Sequence, residues 1–142
     1  MISRRFYYIA SLIFVFGIPT VVAWASMGTA ISPAALGVFV GIVMVIGSLW
    51  DIWATRHGRR DRVWLWQFNF KDNLGIKIFD LPVEEYLFYI FASLYTVFIW
   101  EAIQLALRTG QLSSFILIVF MGVWSLVSVL FPYLVRPRGD KL

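Results

Sequence analysis

The sequence predicts an all-α integral membrane protein: a four-transmembrane-helix bundle with a short interfacial aromatic loop or β-hairpin between helices 2 and 3. Three observations predict it. Of 142 residues, 61% are hydrophobic and only 14% charged, with a mean hydropathy of +0.81, far from the balance of soluble domains. The apolar residues gather into four runs, each near the ~20 residues that cross a bilayer. Threading those runs through a membrane collects Arg4, Arg5, Arg56, Arg59, Arg60, Arg62, Lys71, Lys77, Arg136, Arg138 and Lys141 on one side and leaves Arg108 alone on the other. By the positive-inside tendency, both termini are expected in the cytoplasm.

Composition also excludes chemistry. Without cysteine there is no disulfide, thiolate metal site or thiol redox couple. One histidine, His57, gives little with which to bind a transition metal or haem, and no metal or cofactor is expected. The net charge of +4 lies beside the spans, where it orients them, so nucleic acid is not an expected partner.

The chain reads as a single membrane domain over residues 1–142. After a short basic start, the first span runs from about Phe6 to Ala25, longer than a signal-peptide core and so read as retained. Gly17, Ile18 and Pro19 predict a kink within it. Ser32 and Pro33 open the second span as N-cap and first helical residue, and it runs to about Ile52. The short connection between the two predicts a tight antiparallel hairpin, with Gly37, Gly41 and Gly47 as candidate close contacts. The polar segment from Gly58 to Asp80 alternates Trp64, Trp66, Phe68 and Phe70 with other residues. Asp72-Asn73-Leu74-Gly75 then reads as a turn before Ile76-Lys77-Ile78, so a surface ribbon is expected, serving as a headgroup belt or as a lid. The third span is expected over about Leu81–Leu107, with Asp80 as cap and Pro82 in the first turn. A turn at Arg108–Gln111 leads to the fourth span, Leu112 to Val135.

The third span carries the chemistry. Glu84 and Glu85 stand together at its start, and at 100° per residue Glu84 shares a face with Phe88, Phe91, Tyr95 and Phe98. Glu85, turned by one residue, lies over Tyr89, Ala92 and Thr96. Acidic residues suit the first turn of any helix, because they complement the positive end of its dipole. An ionisable group at a membrane boundary is costly, however, and is a functional candidate by default. Asp51 follows the second span, roughly 27 Å from Pro33 along the helix, and so comes to the same membrane level as Glu84 and Glu85. Its alternatives are an interfacial charge paired with Arg56 or a partner of the two glutamates. Glu101, roughly 25 Å beyond Glu84, belongs near the far face. A carboxylic acid opening on an aromatic stripe suits protonation of an apolar substrate drawn from the bilayer, with the rings stabilising a carbocation.

Pro82-Val83-Glu84-Glu85-Tyr86, with Trp50-Asp51 upstream, Phe68-Asn69 and Gly75 in the loop and Trp100-Glu101 downstream, resembles the lycopene cyclase domain of the heterodimeric bacterial type. The resemblance covers about Leu49 to Ala102; the first and fourth spans match in hydropathy alone. It implies a redox-neutral carotenoid cyclase that closes the linear end groups of lycopene or a related acyclic carotenoid into β- or ε-rings. Glu84 and Glu85 inherit the roles of proton donor and base, in either order, with Asp51 in support; the helix-face count, not the resemblance, prefers Glu84 as donor, with Phe88, Phe91 and Tyr95 lining the substrate. It further implies a second cyclase-like subunit or a homodimer. The rival expectations are a non-catalytic membrane partner subunit of a carotenoid or isoprenoid enzyme complex, and a proton- or ion-coupled carrier.

Overall fold

A computed structural model describes residues 4–27, 31–61, 68 and 73–135. Four helices, Tyr7–Met27, Pro33–His57, Val83–Thr109 and Leu112–Leu130, are long and apolar enough to cross a membrane. The second continues to Asp61 and the fourth to Val135. The alternating aromatics Trp64, Trp66 and Phe70, the start of the expected turn at Asp72, and the basic tail beyond Val135 lie outside the described residues.

The first helix is α-helical over Tyr7–Leu12, widens into a π turn over Ile13–Gly17 and returns to α over Ile18–Met27. The irregularity expected around Pro19 thus takes the form of a wide turn just before it. Proline has no N–H for a carbonyl in the preceding turn. Once Ile18 donates to the Ile13 carbonyl, the next bond in that register would join residue 19 to Phe14. The Phe14 carbonyl instead accepts from the indole N–H of Trp124 on the fourth helix at 2.8 Å, with the two rings 4.8 Å apart. Trp124→Phe removes this donor and keeps most of the ring, and is expected to destabilise the fold by about 1–2 kcal/mol, read from unfolding in detergent.

The second helix opens as its sequence predicts: the Ser32 hydroxyl accepts from Ala35 and the Ser32 carbonyl from Leu36. Between the second and third helices lies a hairpin of two very short strands, Lys77–Ile78 and Leu81–Pro82, antiparallel, with Ile78 opposite Leu81. Phe79 and Asp80, at φ 50° and 76°, make the two-residue turn, both in the left-handed region. Asp80 is therefore a turn residue, not the cap of the third helix, and its carboxylate meets Arg56 at 3.5 Å. The N-cap is Pro82, extended at ψ 142° and without a side-chain cap bond, and the helix begins at Val83, two residues later than expected. Its far end closes on Gly110, left-handed at φ 63°, whose N–H returns to the Ala106 carbonyl at 2.9 Å.

The third helix is the hub. The first, second and fourth helices all pack on it, and the hairpin sits against the second and third. Among the described residues the first and second helices make no substantial contact with each other, so the expected tight hairpin of these two does not form. A short connection fixes where two helix ends lie, but the aromatic and small residues of the third helix win their faces. Gly37 and Gly41 look onto open space, while Gly47 lies directly under the ring of Tyr89. A small core of Ala23, Phe98, Ala102, Leu117 and Met121 ties the first, third and fourth helices together. The second helix turns Val38, Ile42, Val45, Ile46 and Leu49 outward, a surface suited to hydrocarbon rather than water.

Candidate functional site

At the hairpin end of the hub, three carboxylates are buried: Glu84 at 0% exposure, Glu85 at 5% and Asp51 at 6%. The two glutamates occupy the first turn of the third helix because the buried Leu81-Pro82 strand turns the chain straight into it. Asp51 comes from the second helix, at the level expected for it.

Each carboxylate has its own oriented donor. Glu84 Oε1 accepts the backbone N–H of Leu74 at 2.5 Å. That N–H points inward because Asn73, itself buried, folds its side-chain oxygen onto the N–H of Gly75 at 3.0 Å, an Asx turn. Glu85 Oε1 accepts the hydroxyl of Tyr8, from the first helix, at 2.5 Å. Asp51 Oδ2 accepts the hydroxyl of Tyr89, from the third helix, at 2.6 Å. Glu84 and Glu85 thus face different ways, as their one-residue offset predicts, yet Glu85 lies within the electrostatic reach of both Glu84 and Asp51. Asp51 does not depend on Arg56, which pairs with Asp80.

The second oxygen of Glu84 is buried without a hydrogen-bond partner. In a medium that cannot solvate it, such an atom is costly unless a bound molecule or an exchanged proton meets it. This oxygen makes Glu84 the least satisfied of the three acids.

The aromatic stripe beyond Glu84 faces the first helix. Phe16 lies edge-on between Phe88, at 5.8 Å and 71°, and Tyr95, at 5.6 Å and 67°. Phe91 reaches to Gly17, and Phe98 stacks on Trp24 at 5.9 Å. The Tyr95 hydroxyl meets the Ser125 hydroxyl at 2.5 Å and lies 3.2 Å from the Met121 carbonyl. A crevice of about 210 Å³, lined by Val15, Phe16, Tyr95, Ser125, Ser128 and Val129, opens where Phe16 and Tyr95 meet the fourth helix. Phe16 therefore separates this crevice from Phe88, the ring nearest Glu84 on the stripe.

Glu101 remains at the other end of the hub, half-buried. His57 is engaged within its own helix, its Nδ1 3.0 Å from the Trp53 carbonyl and its ring against Trp53. Among the described residues, no three His, Cys, Asp or Glu side chains are grouped to hold a metal ion.

Sequence reasoning named the three acids and the stripe but missed Tyr8, Asn73 and Leu74. The first two had weak signals: an interfacial tyrosine in a first turn, and an Asn before Leu-Gly. No pattern announces that a backbone N–H will reach a carboxylate. No family model matches this chain, and no match is found among curated proteins or solved structures.

Proposed function

We propose that this chain is a carotenoid cyclase, or one subunit of it, in the cytoplasmic membrane of a bacterium with both termini cytoplasmic. Its substrate is lycopene or a related acyclic carotenoid taken from the bilayer, and its product carries β- or ε-rings. Glu84 is the proton donor. It adds a proton to an end-group double bond, the resulting cation closes the ring by attack of a neighbouring double bond, and loss of one proton to Glu85 or Asp51 ends the reaction. The proton count balances, and no electron is gained or lost.

The observation that carries this reading is the buried Glu84 carboxyl, with one oxygen free, at the foot of the aromatic stripe. A proton donated there enters surroundings that do not quench a cation with water, and each ring that faces the cation is worth about 0.5–2 kcal/mol. Tyr8 and Tyr89 hold the other two acids in place, so they accept a proton at fixed positions.

The test is pigment analysis of a lycopene-accumulating host given this chain alone, and then with a second small subunit of the same kind. Ring formation in either arm supports the proposal; its absence in both overturns it. One observation favours a second reading, a non-catalytic partner subunit: Phe16 packs into the stripe as an ordinary helix contact. In that case the acids orient the helix, and ring formation survives their replacement by amides.

A further inference from the structure

The polar groups of the crevice between the first and fourth helices take no part in the proposed reaction, because Phe16 closes it off from the ring nearest Glu84. It also lies apart from the seam of the second and third helices, which Tyr89 covers. Val15 and Phe16, its wall on the first helix, belong to the π turn, which Trp124 pins at the Phe14 carbonyl. Such wide turns occur frequently at functional sites. On the opposite wall Val129 is exposed, so the mouth opens on the surface that faces hydrocarbon.

The hydroxyls of this crevice are not equivalent. Ser125 bonds back to the Met121 carbonyl at 2.8 Å, as serines within helices do, and the Tyr95 hydroxyl, 2.5 Å from Ser125 Oγ, then donates to it. Both of their protons are thus engaged, and only lone pairs remain to be offered. Ser128, at 6% exposure, has no hydrogen-bond partner for its hydroxyl. A serine side chain is one carbon and one oxygen, so where Ser128 walls the crevice its hydroxyl is at most one bond from the space. The crevice therefore presents one free proton and, beside it, oxygens that can only accept. A carbonyl or an ether uses the first alone; a hydroxyl group meets both.

Depth narrows the ligand further. Tyr95 lies roughly 18 Å from the start of the third helix and Ser125 roughly 20 Å from that of the fourth, at 1.5 Å per residue. The two helices run in opposite directions, so the crevice is near the middle of the ~30 Å of hydrocarbon that they are long enough to cross. A glycerolipid keeps its polar groups at the membrane surface. A fatty acid would bring a negative charge to a place where no lining residue is cationic. A volume of about 210 Å³ is less than the ~300 Å³ or more of pockets that enclose a drug-sized molecule, so it suits one end of a longer chain.

We propose that this crevice binds the hydroxyl end of a long-chain apolar alcohol taken from the bilayer, with Ser128 donating to the alcohol oxygen and Tyr95 or Ser125 accepting the alcohol proton. The site is separate from the three acids, and the proposal does not rest on the cyclase reading. In hydrocarbon such a hydroxyl has no partner, and here it gains two.

The test is photolabelling of the full chain in phosphatidylcholine nanodiscs with 1-hexadecanol carrying a diazirine at its third carbon, set against its methyl ether and the corresponding hydrocarbon. Labelled positions are read by mass spectrometry. The alcohol is expected to label the segments around Val15 and Val129 saturably, to be displaced by plain 1-hexadecanol, and to half-saturate at a concentration about tenfold below that of the ether. Ser128→Ala is expected to weaken labelling about fivefold. Without alcohol, the same variant is expected to unfold in detergent no more easily than the native chain, because the hydroxyl it removes has no partner. Labelling that does not saturate, or that is equal for the hydrocarbon, means that lipid chains alone fill the crevice and overturns the site. An ether that binds as tightly as the alcohol overturns the ligand class. Unchanged labelling of Ser128→Ala, or a less stable variant, overturns Ser128 as the free donor.

Discussion

Glu84→Gln is expected to lower ring formation at least about a hundredfold, the scale of a lost general acid, while leaving the fold intact. The amide keeps the shape of the side chain, and its carbonyl still accepts the N–H of Leu74, the contact that anchors Glu84 Oε1. It cannot give up a proton to an alkene. Carotenoid extracted from a lycopene-accumulating host, with the second subunit co-expressed, provides the measurement. Glu85→Gln and Asp51→Asn keep acceptors for Tyr8 and Tyr89, and each is expected to cost less, because either neighbour takes over the final proton. Activity of Glu84→Gln within a few fold of the native chain removes Glu84 as donor and turns the balance toward the partner-subunit reading.

The second large effect is expected at a residue with no functional group. A Cβ on Gly47 would overlap the ring of Tyr89, so Gly47→Ala drives the second and third helices apart or turns the ring away, and either movement breaks the bond to Asp51. Overpacking of this kind costs about 1–3 kcal/mol, measurable as unfolding in detergent, with a parallel loss of ring formation. Gly41→Ala is the matched control. Its Cβ meets nothing within 4 Å, so the exchange is expected to be neutral or slightly stabilising, since alanine is the better helix residue. Equal effects at the two positions would mean that the seam is not closed by Tyr89. Tyr89→Phe separates the parts: it keeps the ring over Gly47 and removes only the hydroxyl from Asp51.

Periodicity and charge made the four long helices legible, and the fourth runs from Leu112 to Val135 as expected. The same 3.6-residue count put Glu84 over Phe88 and Tyr95 and turned Glu85 elsewhere, and the contacts of both follow that division. What escaped was tertiary. Tyr8 meets Glu85 across 77 positions of sequence, and nothing in the first run marks that tyrosine apart from its neighbour Tyr7. Asp80 has every local mark of a helix cap, yet it sits with Phe79 in a left-handed turn that phenylalanine rarely enters. The pairing of Ile78 with Leu81 and the burial of Leu81 and Pro82 impose that turn against local preference. Gly37 and Gly41 fit a helix-contact pattern that only Gly47 fulfils, because spacing alone does not say which stripe of a helix a neighbour will choose.

The wide turn in the first helix changes how that helix must be counted. Tyr8 and Phe16 are eight positions apart, which on a regular wheel separates them by roughly 80° at 100° per residue. The surplus residue absorbed between Ile13 and Gly17 makes eight behave as about seven, and the two side chains come into line, one on Glu85 and the other on Phe88. Deleting one residue inside that segment would leave the alignment standing. Deleting one between Tyr8 and Leu12 would swing the tyrosine about a quarter of the way around the cylinder, out of reach of its acid.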